Sequence, residues 1–249
     1  MEKVKNILRE LFLKRGAISY KYFIVFFLSC GTLFSQGSVV AWGSYMTSVP
    51  TNSLSSGVTK IFSNDRAFAA LKSDGSVVTW GLDNSGGDSS SVASSLSSGV
   101  TEIFSTNQAF AALKSDGSVV TWGGSSNYIA NFGGDSSSVA SSLSSGVTEI
   151  FSTMAAFAAL KSDGSVVTWG ESNYGGDSSS SGGTDYSGAP TNSLSSGVTK
   201  IYSNGYAFAA LKSDGSVVTW GANSYGGDSS SSGGTDYSGA PTNSLSSGV

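Results

Sequence analysis

Residues 67–81 read Ala-Phe-Ala-Ala-Leu-Lys-Ser-Asp-Gly-Ser-Val-Val-Thr-Trp-Gly, and the same stretch recurs at 109–123, 156–170 and 207–221. A fifth, partial copy, Gly-Ser-Val-Val-Ala-Trp-Gly, stands at 37–43, so every tryptophan (Trp42, Trp80, Trp122, Trp169 and Trp220) belongs to this phrase. A fixed phrase at intervals of a few dozen residues marks one supersecondary unit that is copied and stacked. The Gly-Val pairs that open each unit, at Gly57, Gly99, Gly146, Gly197 and Gly248, lie 42, 47, 51 and 51 residues apart. The constant part is short and apolar. The length varies in a Ser/Gly-rich part that follows it, as expected of a packed element joined to a surface loop.

Within the phrase the chemistry is that of a β-hairpin. Asp74-Gly75, with Asp116-Gly117, Asp163-Gly164 and Asp214-Gly215, predicts a two-residue type I′ turn, because that turn needs positive φ at both central positions. On that register Ser73 pairs with Ser76, Leu71 with Val78 and Ala69 with Trp80, sharing one face, while Phe68, Ala70, Lys72, Val77 and Thr79 share the other. Both faces are largely apolar, so each hairpin is expected to be covered on both sides. Ala67, Ala69 and Ala70 are expected to face a neighbour's Trp and Phe, small against large. A helix over Ala-Phe-Ala-Ala-Leu-Lys is too short and runs into Asp-Gly and a β-branched strand. The fold class read from these features is all-β, a β-propeller-like array of blades. A β-solenoid is the alternative.

The pattern Gly-Val-x-x-Ile, then Ala-Leu-Lys-Ser-Asp-Gly-Ser-Val-Val-Thr-Trp-Gly, then Asn-x-x-Gly-Gly resembles the repeat of the regulator of chromosome condensation family, above all its bacterial branch. The resemblance covers residues 37–249 and implies a propeller that works by binding. The chain departs from the family at three points. It has no His, and Ala67, Ala109, Ala156 and Ala207 stand where eukaryotic repeats commonly carry one. The family's Gly-Gln-Leu-Gly is replaced by Gly-Gly-Asp-Ser, as at Gly86-Gly87-Asp88 and Gly175-Gly176-Asp177. The usual ring has seven blades, and here the Gly-Val half occurs with its Ala-Leu-Lys strand four times and the Trp half five times. The nucleotide-exchange activity of the founding member is therefore not implied. An array of about four and a half blades, incomplete or irregularly closed, is expected, with exposed edge strands open to self-association.

The remaining sequence is read as two segments, a signal peptide or hydrophobic leader at 1–35, helical in character, and one repeat domain at 36–249. Residues 1–30 hold six Lys/Arg against two Asp/Glu, the run from Phe23 to Phe34 is apolar, and small residues stand near Ser29-Cys30-Gly31 or at Ser35. That order resembles a secretory signal, and the apolar run falls short of the ~20 residues a membrane-spanning helix needs. A secreted or cell-surface location follows as the expectation, with an uncleaved membrane anchor as the alternative. From residue 36 onward there are 7 Lys/Arg against 15 Asp/Glu, a net charge of −8 that repels phosphate backbones and disfavours nucleic acid. Cys30, the only cysteine, lies in the leader, so no disulfide joins the repeats.

The chemistry-bearing residues are repeated rather than singular, which argues against an enzyme. With no His, a Ser-His-Asp site is excluded, and Lys72-Ser73 with its copies sits on a turn in every unit. The Asp of each Asp-Gly pair has a turn role. Asp88, Asp135, Asp177 and Asp228, with Asp185 and Asp236, raise calcium as a weaker reading, but their spacing matches neither an EF-hand nor the Gly-Gly-x-Gly-x-Asp repeat. No cofactor or metal is expected. The tryptophans read as inter-blade core. The aromatics that differ between copies fall in the loops: Tyr128, Phe132, Tyr174, Tyr186, Tyr225 and Tyr237. Loop tyrosines amid Ser and Gly make adaptable binding surfaces, so these six are the candidate contacts to a protein or glycan partner.

Overall fold

A computed structural model describes residues 50, 52–124, 131–179, 185–190 and 192–228. The leader, the partial copy at 37–43 with Trp42, and residues 229–249 lie outside the described residues. Three strands recur in each unit. Blade I holds β1 (Val58–Ser63), β2 (Ala67–Lys72) and β3 (Val77–Gly81). Blade II holds β4 (Val100–Ser105), β5 (Ala109–Lys114) and β6 (Val119–Gly123), and blade III holds β7 (Val147–Ser152), β8 (Ala156–Lys161) and β9 (Val166–Gly170). A two-residue strand β10 (Tyr186–Ser187) precedes blade IV, which is built of β11 (Val198–Ser203), β12 (Ala207–Lys212) and β13 (Val217–Ala222). Every sheet is an antiparallel meander, and β10 pairs along the outer edge of β13, with Tyr186 opposite Ala222. These separate sheets of sequential strands are propeller blades rather than solenoid coils, and the chain is all-β apart from short 3-10 turns among the described residues.

The hairpin turn differs from the two-residue turn expected, and the difference moves the register by one. Gly75 N–H donates to the Lys72 carbonyl at 3.0 Å and Lys72 N–H to the Ser76 carbonyl at 2.9 Å, so the loop is three residues, Ser73 to Gly75. Only the glycine takes positive φ, +75°. A type I turn followed by a left-handed Gly is the usual three-residue solution. Asp74 selects it, because its carboxylate accepts from the Ser76 N–H at 2.9 Å and from the Ser76 hydroxyl at 2.6 Å. Phe68 therefore lies opposite Trp80, Ala69 opposite Thr79 and Ala70 opposite Val78. Ala69 and Leu71 change sides relative to the tryptophan, and Ala70 joins it.

The same turn recurs at Asp116, Asp163 and Asp214 with Ser118, Ser165 and Ser216. In each the serine hydroxyl, then the serine N–H, holds the carboxyl below the ordinary carboxylate range. A pKa lowered on folding gives stability that is full above the ordinary value near 3.8 and lost as pH falls through the lowered one. Thermal melts from about pH 6 to 2 are expected to show the loss concentrated below about pH 4. Replacing Ser118 and Ser165 by Ala should flatten that limb; a pH profile identical to the parent's would disprove the assignment.

Each blade thus has two unlike faces. One carries the stacked Phe–Trp pair, with centroids 5.2–5.3 Å apart in all four blades. The other carries two alanines and a leucine. Successive blades put the small face of one against the aromatic face of the next. Ala67, Ala69 and Leu71 meet Phe110, Ala112 and Trp122; Ala109, Ala111 and Leu113 meet Phe157, Ala159 and Trp169; Ala156, Ala158 and Leu160 meet Phe208, Ala210 and Trp220. Small residues let the sheets approach closely enough for flat rings to be fully covered. The backbones are also tied. Val100, Val147 and Val198 donate to the Gly75, Gly117 and Gly164 carbonyls of the preceding hairpins, each at 3.0 Å.

Candidate functional site

The first and second strands of each blade are joined by a tight turn, and these four turns form a chained arc. Asp65 N–H donates to the Asn107 carbonyl at 3.2 Å, Asn107 to Met154 at 2.9 Å and Met154 to Gly205 at 3.0 Å. They line an open cleft of about 510 Å³, walled by polar residues including Asn64, Asp65, Asn107 and Asn204. Its walls are repeat-equivalent positions, and Asp65 is its one carboxylate.

The same turns fasten the Ser/Gly loops that follow the third strands. Asn64 Nδ2 donates to the Ser85 carbonyl, Thr106 Oγ1 to Phe132, Thr153 Oγ1 to Tyr174 and Asn204 Nδ2 to Tyr225, at 2.7–3.1 Å. Positions 85, 132, 174 and 225 are therefore equivalent, held at the backbone in every blade while the side chain varies. In blades III and IV both are tyrosine. Tyr206, from the turn of blade IV, lies between them, its ring 5.5 Å from Tyr174 and 4.0 Å from Tyr225, all near parallel. Tyr206 is positioned by its N–H, which donates to Asn204 Oδ1 at 2.8 Å. Tyr225 closes the ladder at 53% exposure. A row of three tyrosines fixed at their backbones is a preorganised surface with little ordering entropy left to lose.

The candidate loop aromatics thus separate. Tyr174 and Tyr225 come together in the ladder. Tyr186 lies in β10, and Phe132 packs, partly buried, against the joint between blades II and III. Tyr128 and Tyr237 lie outside the described residues. Tyr206 escaped sequence reading because it belongs to the short turn between the first and second strands rather than to the long Ser/Gly loop. Its signal is there when the copies are stacked: Arg66, Gln108, Ala155 and Tyr206 occupy one position, the last of a variable turn that precedes the invariant Ala-Phe-Ala-Ala-Leu-Lys.

The loop carboxylates serve local turns. Asp88, Asp135 and Asp177 accept from the N–H groups of Ser90, Ser137 and Ser179 at 2.8–2.9 Å. Among the described residues no three His, Cys, Asp or Glu are grouped to hold a metal ion, and no helix is long and apolar enough to cross a membrane.

A repeated antiparallel blade, a polar cleft along the linked turns and a ladder of tyrosines define a propeller-type repeat array. The regulator of chromosome condensation (RCC1) repeat matches at residues 198–226, which is blade IV from β11 into the loop after β13. Blades I–III repeat that sequence, so the chain resembles this repeat family in its recurring unit. No curated protein sequence matches it significantly. Similar solved structures include the CRINKLY WD40 ectodomain of the Arabidopsis thaliana receptor kinase ACR4, at 19% identity and TM-score 0.42, covering 66% of this chain and 50% of that one. The ectodomain of the Physcomitrella patens receptor kinase CR4 aligns at 15% identity and TM-score 0.43, covering 75% and 47%. Prp20p from Saccharomyces cerevisiae, which binds Gsp1p and histones, aligns at 17% and TM-score 0.40, covering 65% and 43%. The chain spans about half the length of these structures or less.

Proposed function

We propose that the chain is a non-catalytic, exported repeat scaffold that holds a protein partner through its blade loops, with the ladder of Tyr174, Tyr206 and Tyr225 as the contact. The stacked ladder is the observation that carries this reading. Its rings spend much of their faces on one another, leaving edges and hydroxyls outward, which suits hydrogen bonding to a protein more than face stacking on a sugar. Export rests on the basic and apolar leader read from residues 1–35.

Purely structural use, as a surface repeat without a ligand, is the second reading. It is favoured by the clamp from turn to loop, which every blade has whatever residue fills position 85, 132, 174 or 225. Capture from the native surroundings with immobilised full chain separates the two. A discrete protein retained by the parent, and lost at least about tenfold with Tyr206→Ser and Tyr225→Ser at unchanged melting temperature, is expected. Equal capture by parent and variant would end the ladder's role, and release by free sugars would replace protein by glycan.

A further inference from the structure

Two tyrosines of the ladder are held in contact by a single side chain. Asn204, which follows β11, donates from Nδ2 to the Tyr225 carbonyl at 2.8 Å. Its Oδ1 accepts from the Tyr206 and Ala207 N–H groups, each at 2.8 Å. Tyr225 also ends the short 3-10 turn Asn223–Tyr225, closed by Gly226 N–H on the Asn223 carbonyl at 3.3 Å. With both backbones tied to one residue, the two rings meet face to face, their centroids 4.0 Å apart and their planes 17° from parallel. Aromatic pairs usually stand about 4.5–7 Å apart, so this contact is tight. Tyr174 covers the other side of Tyr206 at 5.5 Å.

Phenols couple to one another on one-electron oxidation, and the chain's competing groups are poorly placed for it. Trp80, Trp122, Trp169 and Trp220 are buried in the blades. The last three spend their indole N–H on the Gly86, Gly133 and Gly175 carbonyls at 2.9–3.1 Å. Met154 is exposed, but a thioether takes up an oxygen atom and forms no bond to a neighbour. Tyr202 is as exposed as Tyr225, yet the Lys200 ammonium lies 5.1 Å from its ring centroid, and that charge opposes removal of an electron. Tyr225 has no such burden. It is open to an oxidant on one side and backed by stacked rings that share the electron hole on the other.

We infer that Tyr206 and Tyr225 form an oxidative modification site, at which a peroxide-driven one-electron oxidant joins them as an intramolecular dityrosine. Each phenol gives up one electron and its hydroxyl proton. The two radicals form a carbon–carbon bond between ring positions ortho to the oxygens, and the hydrogens displaced there move to restore the hydroxyls. Hydrogen peroxide takes up the two electrons and two protons and leaves as two waters, so the pair loses two hydrogen atoms in all. The fold supplies proximity: radicals formed face to face couple before either meets another chain. The bond ties the loop after β13 to the turn between β11 and β12. It needs no partner, so it stands or fails separately from the capture of a protein by the ladder.

The test is hydrogen peroxide with a haem peroxidase acting on the full chain at low concentration. The expected product is a single chain with dityrosine fluorescence, an intact mass lower by two hydrogen atoms, and fragment spectra that join Tyr206 to Tyr225. Its yield per chain should be unchanged by dilution. Tyr206→Phe keeps a ring in the stack but removes the central phenol, and total intramolecular dityrosine should fall about tenfold or more at unchanged melting temperature. Tyr202→Phe should leave it unchanged. The oxidised parent should melt at a higher temperature, because the bond closes a loop in the unfolded chain. Bonds formed only between chains, a bond between other tyrosines in place of this pair, or a yield that survives Tyr206→Phe would overturn the proposal.

Discussion

Trp169→Ala is expected to cost about 3–5 kcal/mol of stability, the largest effect of any single truncation in the array. Trp169 sits in the middle of the described blades, stacked on Phe157 at 5.2 Å, against Ala109, Ala111 and Leu113 of blade II. Its removal opens a cavity between two sheets that cannot collapse, because both are held by their own ladders and by Val147 on the Gly117 carbonyl. It also leaves the Gly133 carbonyl without its donor. In an array where each unit contacts only its neighbours, a broken middle joint separates two short ends, each poorly stable alone. Denaturant unfolding followed by circular dichroism should show a lowered midpoint or a split transition. The milder change Trp169→Phe should still cost about 1–3 kcal/mol, whereas Trp80→Phe, which deletes a buried donor with no acceptor among the described residues, should cost clearly less. Equal losses at the two sites would show that the indole hydrogen bond contributes nothing.

Gly175→Ala should be nearly as damaging, and Gly226→Ala far less so. Both positions have positive φ, which alone costs a non-glycine residue about 1 kcal/mol. At Gly175 the added Cβ would also lie 2.7 Å from the Phe208 ring, inside a joint packed on all sides. Overpacking of that kind adds about 1–3 kcal/mol as the blades are pushed apart. At Gly226 the second penalty is absent, since nothing among the described residues lies within 4 Å of the added Cβ. Paired thermal melts at low protein concentration therefore separate backbone strain from packing. A difference below about 0.5 kcal/mol would mean that the Gly175 cradle relaxes freely.

Much of the blade could be read before folding was considered. The period, the β-branched Val-Val-Thr-Trp strand, the Asp-Gly turn and the small-against-large pairing are all local or statistical properties of the repeat. The turn type was not legible, because Asp-Gly serves a two-residue and a three-residue loop alike. The choice rests on Ser76 supplying two hydrogen bonds to Asp74. That single residue of loop length put Ala70, rather than Ala69, beside Trp80. Likewise Tyr174 and Tyr225 were visible as variable loop aromatics, while Tyr206 was hidden in the short turn just before the constant phrase until the turn and the loop met at one rim.

Fifteen residues written four times determine that this protein is a stack of like β units, each apolar on both faces. Which of these groups meets a partner among the described residues is a property of the stack alone. Trp80 and Trp122 have the same neighbours in sequence, as do Gly175 and Gly226, and only their place at an end or in the middle distinguishes them. A repeat encodes both halves of a joint in every copy, so local sequence cannot tell a satisfied half from an unsatisfied one. That distinction comes from which blade stands beside it.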